Sequence, residues 1–268
     1  MGTLPQKLNH IGAKIARSIE HFNALDGEIT AFLNSKPYAI RREFDAEKRS
    51  YSFFVNPLAE VPLRIRILTG EMLGQLRSCL DHLAWQLALI TTPTPHERTE
   101  FPIFAEPAQR QIQKIGSLPE PAQAIVEKLQ PYHDQTPEKN TLWKLHRLAN
   151  EDKHRLPHIA LLAPAGVSLG NLPELPGGGI VLGFSDQARK GRDLALEMRI
   201  GPIEGEEKVG EITFIDPKET DLSIEGAVVP IDLAFAADSA GAGMLVRPEL
   251  VSYGKRVEEI VREFTGFF

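Results

Sequence analysis

Hydrophobic positions along the first 34 residues recur at three- and four-residue steps. Leu8, Ile11, Ile15, Ile19, Phe22, Leu25, Ile29 and Phe32 form one apolar stripe, which predicts a long amphipathic helix over 4–34. The period then changes. Residues 38–44 and 49–55 are aromatic and β-branched, and the polar run 45–48 between them reads as a hairpin loop, so a β-hairpin is predicted over 37–56. A second long helix is predicted over 63–91. Ile65, Leu68, Met72, Leu76, Cys79, Leu80, Leu83, Leu87 and Ile90 mark its apolar face, and Glu71, Gln75, Ser78, His82 and Gln86 a polar one. Gly70 and Gly74 cost helix propensity there, ~1 kcal/mol each, and are expected to admit a neighbouring backbone.

Beyond Pro93 and Pro95, the segment Phe101-Pro102-Ile103-Phe104 reads as a buried loop anchor. Two short helices are expected near 106–115 and 119–130. Another is expected over 137–155, with Thr136 as N-cap and Pro137 in its first turn. From 158 to about 243 the pattern is β, with candidate strands at 158–163, 178–184, 193–200, 209–215 and 227–235 separated by Gly and Pro. Residues 248–265 return to a helical period. The expected fold class is therefore α+β: an N-terminal helical bundle of about four helices with an inserted hairpin, a small C-terminal β region and a return helix. The expected divisions are 1–156, 157–243 and 244–268, with the last helix packing on the bundle.

Charge sharpens this division. Residues 1–155 carry 20 Lys+Arg against 18 Asp+Glu, and residues 156–268 carry 10 against 18, for a chain total of −6. That balance argues against a protein coating nucleic acid non-specifically, and leaves room for a local basic site in the first half. The single cysteine excludes an intrachain disulfide and a Cys-rich zinc site. No apolar run approaches the ~20 residues that span a bilayer, and the first residues lack a signal-peptide pattern. A cytoplasmic location, no membrane partner and no cofactor are expected. Walker, dinucleotide-binding, zincin and nucleophile-elbow motifs are absent from the sequence.

Two polar clusters carry the candidate chemistry. Arg77, Asp81 and His82 lie on the second long helix; Arg147, Asn150, Asp152 and His154 lie toward the end of the helix over 137–155. Arginine holds phosphate or carboxylate bidentately, and histidine moves protons near neutral pH. Together they are the minimum for metal-free phosphodiester cleavage. The same groups also suit a buried network that fixes helix register without a reaction. A metal-dependent hydrolase is a third reading, with His82, His146 and His154 as candidate ligands. His146 and His154 are ~12 Å apart along a helix and cannot share an ion directly.

The stretch 70–85, with Leu76-Arg77-Ser78 and Leu80-Asp81-His82-Leu83-Ala84-Trp85, resembles a motif of a widespread group of uncharacterised bacterial proteins. So do Phe101-Pro102-Ile103 and Asn150-x-Asp152-Lys153-His154-Arg155. More distantly, Arg77-x4-His82 and Arg147-x6-His154 resemble the Arg…His motif of HEPN domains. That resemblance implies a dimeric helical bundle acting as a metal-independent ribonuclease of defence or toxin–antitoxin type. It implies Arg77 or Arg147 on phosphate, His82 or His154 as acid/base, and Asp81, Asn150 and Asp152 orienting them. On an ideal helix Arg77 and His82 point ~140° apart, so a joint site calls for distortion or a second subunit. The expected partners are RNA, a second copy of the chain, and a protein partner at the acidic β region.

Overall fold

The computed structural model describes residues 4–162, 168–169, 194–199, 201–218, 227–229 and 231–268. The fold class is α+β. Two compact units are present, and the chain passes between them more than once. The helical unit comprises residues 1–26, 64–157 and 247–268; the β unit comprises 27–63 and 158–246.

In the helical unit, a 3-10 turn (Gln6–Leu8) leads into α1 (Asn9–Asn34), whose residues 9–26 belong here. α2 (Leu63–Thr91) is the central element: fourteen of its residues are buried, from Ile65 to Ala88. Such a helix is held by tertiary packing of its apolar face more than by propensity. α3 (Arg110–Ile115), α4 (Glu120–Lys128) and α5 (Thr141–Asp152) follow. The return helix α6 (Val246–Glu263) joins this unit from residue 247 on. Its Gly254 lies 4.0 Å, measured from an added Cβ, from Met72 Cε of α2, and its Arg247 pairs with Asp26 of α1 at 3.0 Å. Val257, Ile260, Val261 and Phe264 are fully buried, as the apolar period of 248–265 requires.

The start of α5 differs from the expectation at Thr136. Residues Pro137–Lys139 form a separate 3-10 turn, and Thr136 makes no capping hydrogen bond. The cap is Asn140, whose Oδ1 accepts from the backbone N–H of Leu142 at 2.8 Å and of Trp143 at 3.4 Å. An Asn at N-cap satisfies orphan donors that Thr136, four residues upstream, cannot reach.

In the β unit the hairpin forms as predicted, β1 (Tyr38–Asp45) against β2 (Ser50–Pro57), in register Tyr38↔Pro57 to Asp45↔Ser50. Asp45 Oδ1 accepts from the N–H groups of Glu47 and Lys48, both at 3.0 Å, which folds the loop over. Arg49 closes it at φ 53. The hairpin does not belong with the bundle. β2 pairs with β7 (Glu207–Phe214), and β7 with β5 (Leu194–Met198), giving an antiparallel sheet of order β1-β2-β7-β5. The alternation of Phe53 and Val55, both buried, supplies an apolar face that residues far along the chain complete. The register shifts between Phe53 and Phe54, so Val209 is an extra residue opposite them and a bulge results.

A second sheet orders β6 (Pro202–Ile203), β3 (Ile159–Leu162) and β9 (Asp232–Phe235). β3 and β9 are buried along their whole length. β4 (Ser168–Leu169) pairs with β8 (Ala227–Val228). Of the predicted strands, 178–184 lies outside the described residues.

The two glycines of α2 differ. A Cβ on Gly70 would lie 2.0 Å from Asp152 Oδ1, whereas one on Gly74 meets nothing within 4 Å. Gly70 thus admits a side chain rather than a backbone, and Gly74 admits nothing. Gly74→Ala is expected to stabilise the chain by up to ~1 kcal/mol through helix propensity. Gly70→Ala is expected to gain that only in an Asp152→Ala background. Urea denaturation of the four variants checks the coupling; equal effects of Gly70→Ala in both backgrounds would show that Asp152 does not occupy that space.

Candidate functional site: a clamped loop and a cationic face on α5

Arg77 lies on the buried side of α2 and is 6% exposed. A guanidinium so placed must find compensation close by. Asp81, one turn on, brings Oδ1 to 2.7 Å from Arg77 Nη1. The pair then closes on a single peptide: Arg77 Nη2 donates to the carbonyl of Phe101 at 2.7 Å, and Asp81 Oδ1 accepts from the N–H of Phe101 at 3.1 Å. From the other side Gln130 Nε2 donates to the carbonyl of Pro102 at 2.9 Å, and Gln130 Oε1 accepts from Phe104 N–H at 3.2 Å. The buried anchor read at Phe101–Ile103 is therefore clamped through its backbone. Burial pushes the Asp81 carboxyl above its usual range, against the pull of Arg77 and the Phe101 N–H.

The end of α5 reaches α2, where Asp152 fills the space left by Gly70. The first cluster acts on α5 electrostatically, through His146. His146 lies within electrostatic reach of Arg77, Lys114 and Glu100. Burial, with the charges of Arg77, Lys114 and Lys153, lowers its pKa to about 4. It is neutral at pH 7. Asn150 Nδ2 lies 3.0 Å from His146 Nε2, and Lys153 Nζ donates to Asn150 Oδ1 at 3.2 Å. Lys153 thus orients the amide so that Nε2 accepts, and the ring hydrogen sits on Nδ1, which is buried without a partner. Glu100 pairs with Lys114; burial pushes its carboxyl up, and Lys114 with Arg77 brings it net below its usual value.

The other expected groups stand apart. His82 packs against His10 of α1, ring centroids 5.3 Å apart. Burial, Lys14 and His10 lower its pKa. His154 is exposed beyond the end of α5, its N–H donating to the Glu151 carbonyl at 2.9 Å. Arg147 is exposed and lies over the Trp143 ring at 5.9 Å. Asp152 is pushed up by burial and by Glu71, which itself lies 3.0 Å from His21 Nδ1. Among the described residues, no group of three or more His, Cys, Asp and Glu side chains is placed to hold a metal ion.

Sequence reasoning missed Glu100, Lys114 and His21. Glu100 and Lys114 flank a segment without period, so no pattern pointed to them. His21 shares the Ser18–Leu25 stripe of α1, and that spacing was the available signal.

No protein-family model matches the chain, and no curated protein or solved structure matches it either.

Truncating Arg77 leaves Asp81 half-buried and the Phe101 carbonyl unpaired. Arg77→Ala is expected to cost about 3–5 kcal/mol and Asp81→Asn less, measured by denaturant unfolding. A loss under 1 kcal/mol for Arg77→Ala would overturn the clamp. His146 gives a pH signature. Its folded pKa lies below the ordinary 6.5, so the unfolded chain binds more protons between about 4 and 6.5, and stability falls as pH drops through that window. Asp81 and Asp152, pushed up, contribute with opposite sign. The measurable quantity is therefore the difference between the wild type and His146→Gln, whose profile should be flatter from pH 6.5 to 4.

Proposed function

We propose that the helical unit is a non-catalytic binding module for single-stranded RNA. The Arg77–Asp81 cluster is its internal brace, and α5 is its binding face. One observation carries this reading. Trp143, His146, Arg147, Asn150 and Lys153 fall at helical spacing on one side of α5 and touch in sequence. The Arg147 guanidinium lies 5.9 Å from the Trp143 ring, Trp143 lies 5.9 Å from His146, His146 bonds to Asn150, and Asn150 to Lys153. The row extends ~15 Å along the helix.

Charge supports it. Residues 139–155 hold Lys139, Lys144, Arg147, Lys153 and Arg155 against Glu151 and Asp152, a net +3 in a chain of net −6. The helical unit as a whole carries 19 Lys+Arg and 17 Asp+Glu, a net +2. Aromatic rings backed by arginine stack on bases irrespective of sequence, while lysines follow the phosphates. Cleavage is not part of the proposal. The HEPN-like reading needs an Arg77 or Arg147 and a His82 or His154 on one phosphate. Arg77 is committed to the Phe101 peptide, and His82 packs against α1.

A labelled oligouridine of about 12 nucleotides, within the span of one module, tests this by fluorescence anisotropy. Binding should weaken with salt. Trp143→Ala should weaken it about 5–150-fold, as expected for one lost stack at ~1–3 kcal/mol. Arg147→Ala should also lower the slope of log K on log salt by ~0.7. His82→Ala and His154→Ala should leave it within twofold. Affinity unaffected by Trp143→Ala and Arg147→Ala would overturn the proposal. RNA cleavage lost in His82→Ala or His154→Ala would overturn it in favour of the nuclease.

A further inference from the structure

A recess in the helical unit shares no residue with the Trp143–Lys153 row. It has a volume of about 370 Å³ and is walled by α6 and the first residue of α5. Val251 lines it from α6. Ser252, Lys255, Arg256 and Glu259 follow at three- and four-residue steps on the same side of α6, and Thr141 faces them from α5. The apolar requirement of α6 is met elsewhere: Leu250, Tyr253, Val257 and Ile260 are fully buried. The polar stripe is thus not needed to fold the helix. Lys255 has no carboxylate partner among the described residues. Arg256 lies 3.3 Å from Glu259 Oε2, an exposed pair that contributes little to stability.

We infer that this recess binds a small phosphate monoester carrying hydroxyl groups, of the sugar-phosphate class. Two cations one residue apart, with the Thr141 and Ser252 hydroxyls beside them, supply the charge and donors that a tetrahedral dianion takes. Glu259 decides the rest of the ligand. A carboxylate at the rim repels a second phosphate and accepts hydrogen bonds from hydroxyls. Val251 covers a less polar part of the same body. The site therefore selects one phosphate plus hydroxyls over a bisphosphate or a bare anion. It is independent of the RNA proposal, since it shares no residue with the Trp143–Lys153 row.

Isothermal titration of the full chain with glucose 6-phosphate, inorganic phosphate and fructose 1,6-bisphosphate tests this. The sugar monophosphate should bind at least tenfold more tightly than either other probe. Lys255→Ala and Arg256→Ala should each weaken it tenfold or more. Glu259→Gln should raise affinity for the bisphosphate relative to the monophosphate. All three sites lie at the surface of α6, and an unchanged melting temperature checks that the variants fold. Trp143→Ala should leave sugar-phosphate binding intact, which separates this outcome from failure of the RNA reading. The inference is overturned if the wild type gives no heat with the sugar phosphate at millimolar concentration. It is equally overturned if inorganic phosphate binds as well as the sugar phosphate, or if Lys255→Ala binds normally.

Discussion

An arginine sealed inside a helical unit sets a condition that its neighbours must meet. Arg77 is held by a carboxylate one turn away and by the carbonyl of a loop 24 residues further on. Neither partner suffices alone: Asp81 without the loop would leave donors unpaired, and the loop without Asp81 would leave a buried charge uncompensated. The solution fixes the backbone of Phe101, and with it the buried side chains of Phe101 and Ile103. Gln130 repeats the device from the end of α4, bonding to the residues on either side of Ile103. A segment without secondary structure is thereby held at four of its backbone groups. The middle of α2 and the end of α4 both grip this segment.

The helices were legible because each buries a stripe, and a stripe leaves a period. Leu8 to Phe32 on α1 and Ile65 to Leu87 on α2 needed no knowledge of what they pack against. The hairpin was legible for the same reason, but its allegiance was not. Which strand β2 takes as its second neighbour depends on residues more than 150 positions away, and period two says nothing about that partner. The cap of α5 went to Asn140 because Pro137–Lys139 closes a turn of its own, a choice between two good capping residues that local sequence leaves open.

The candidate site was half legible. Both polar clusters lie on helices that approach one another, and the spacing argument that set Arg77 and His82 on different sides of α2 matches their surroundings, the Phe101 peptide and His10. What sequence could not supply was register between α2 and α5. Gly70 leaves room for Asp152, and His146 comes under the field of Arg77. Lys114 enters from the short helix α3 to pair with Glu100, so its part in the site is set by tertiary structure alone.

Cys79 sits on α2 among the fully buried residues, two positions after Arg77. Burial pushes its thiol up to about 12, so near neutral pH the reactive thiolate is nearly absent while the helix stays packed. Any oxidant or alkylating agent that modifies this sulfur must first wait for α2 to open, because the thiol is shielded both sterically and by its protonation. The molecule consequently carries its own chemical clock for breathing of the helical unit, with one hand and no competing thiol to blur the reading.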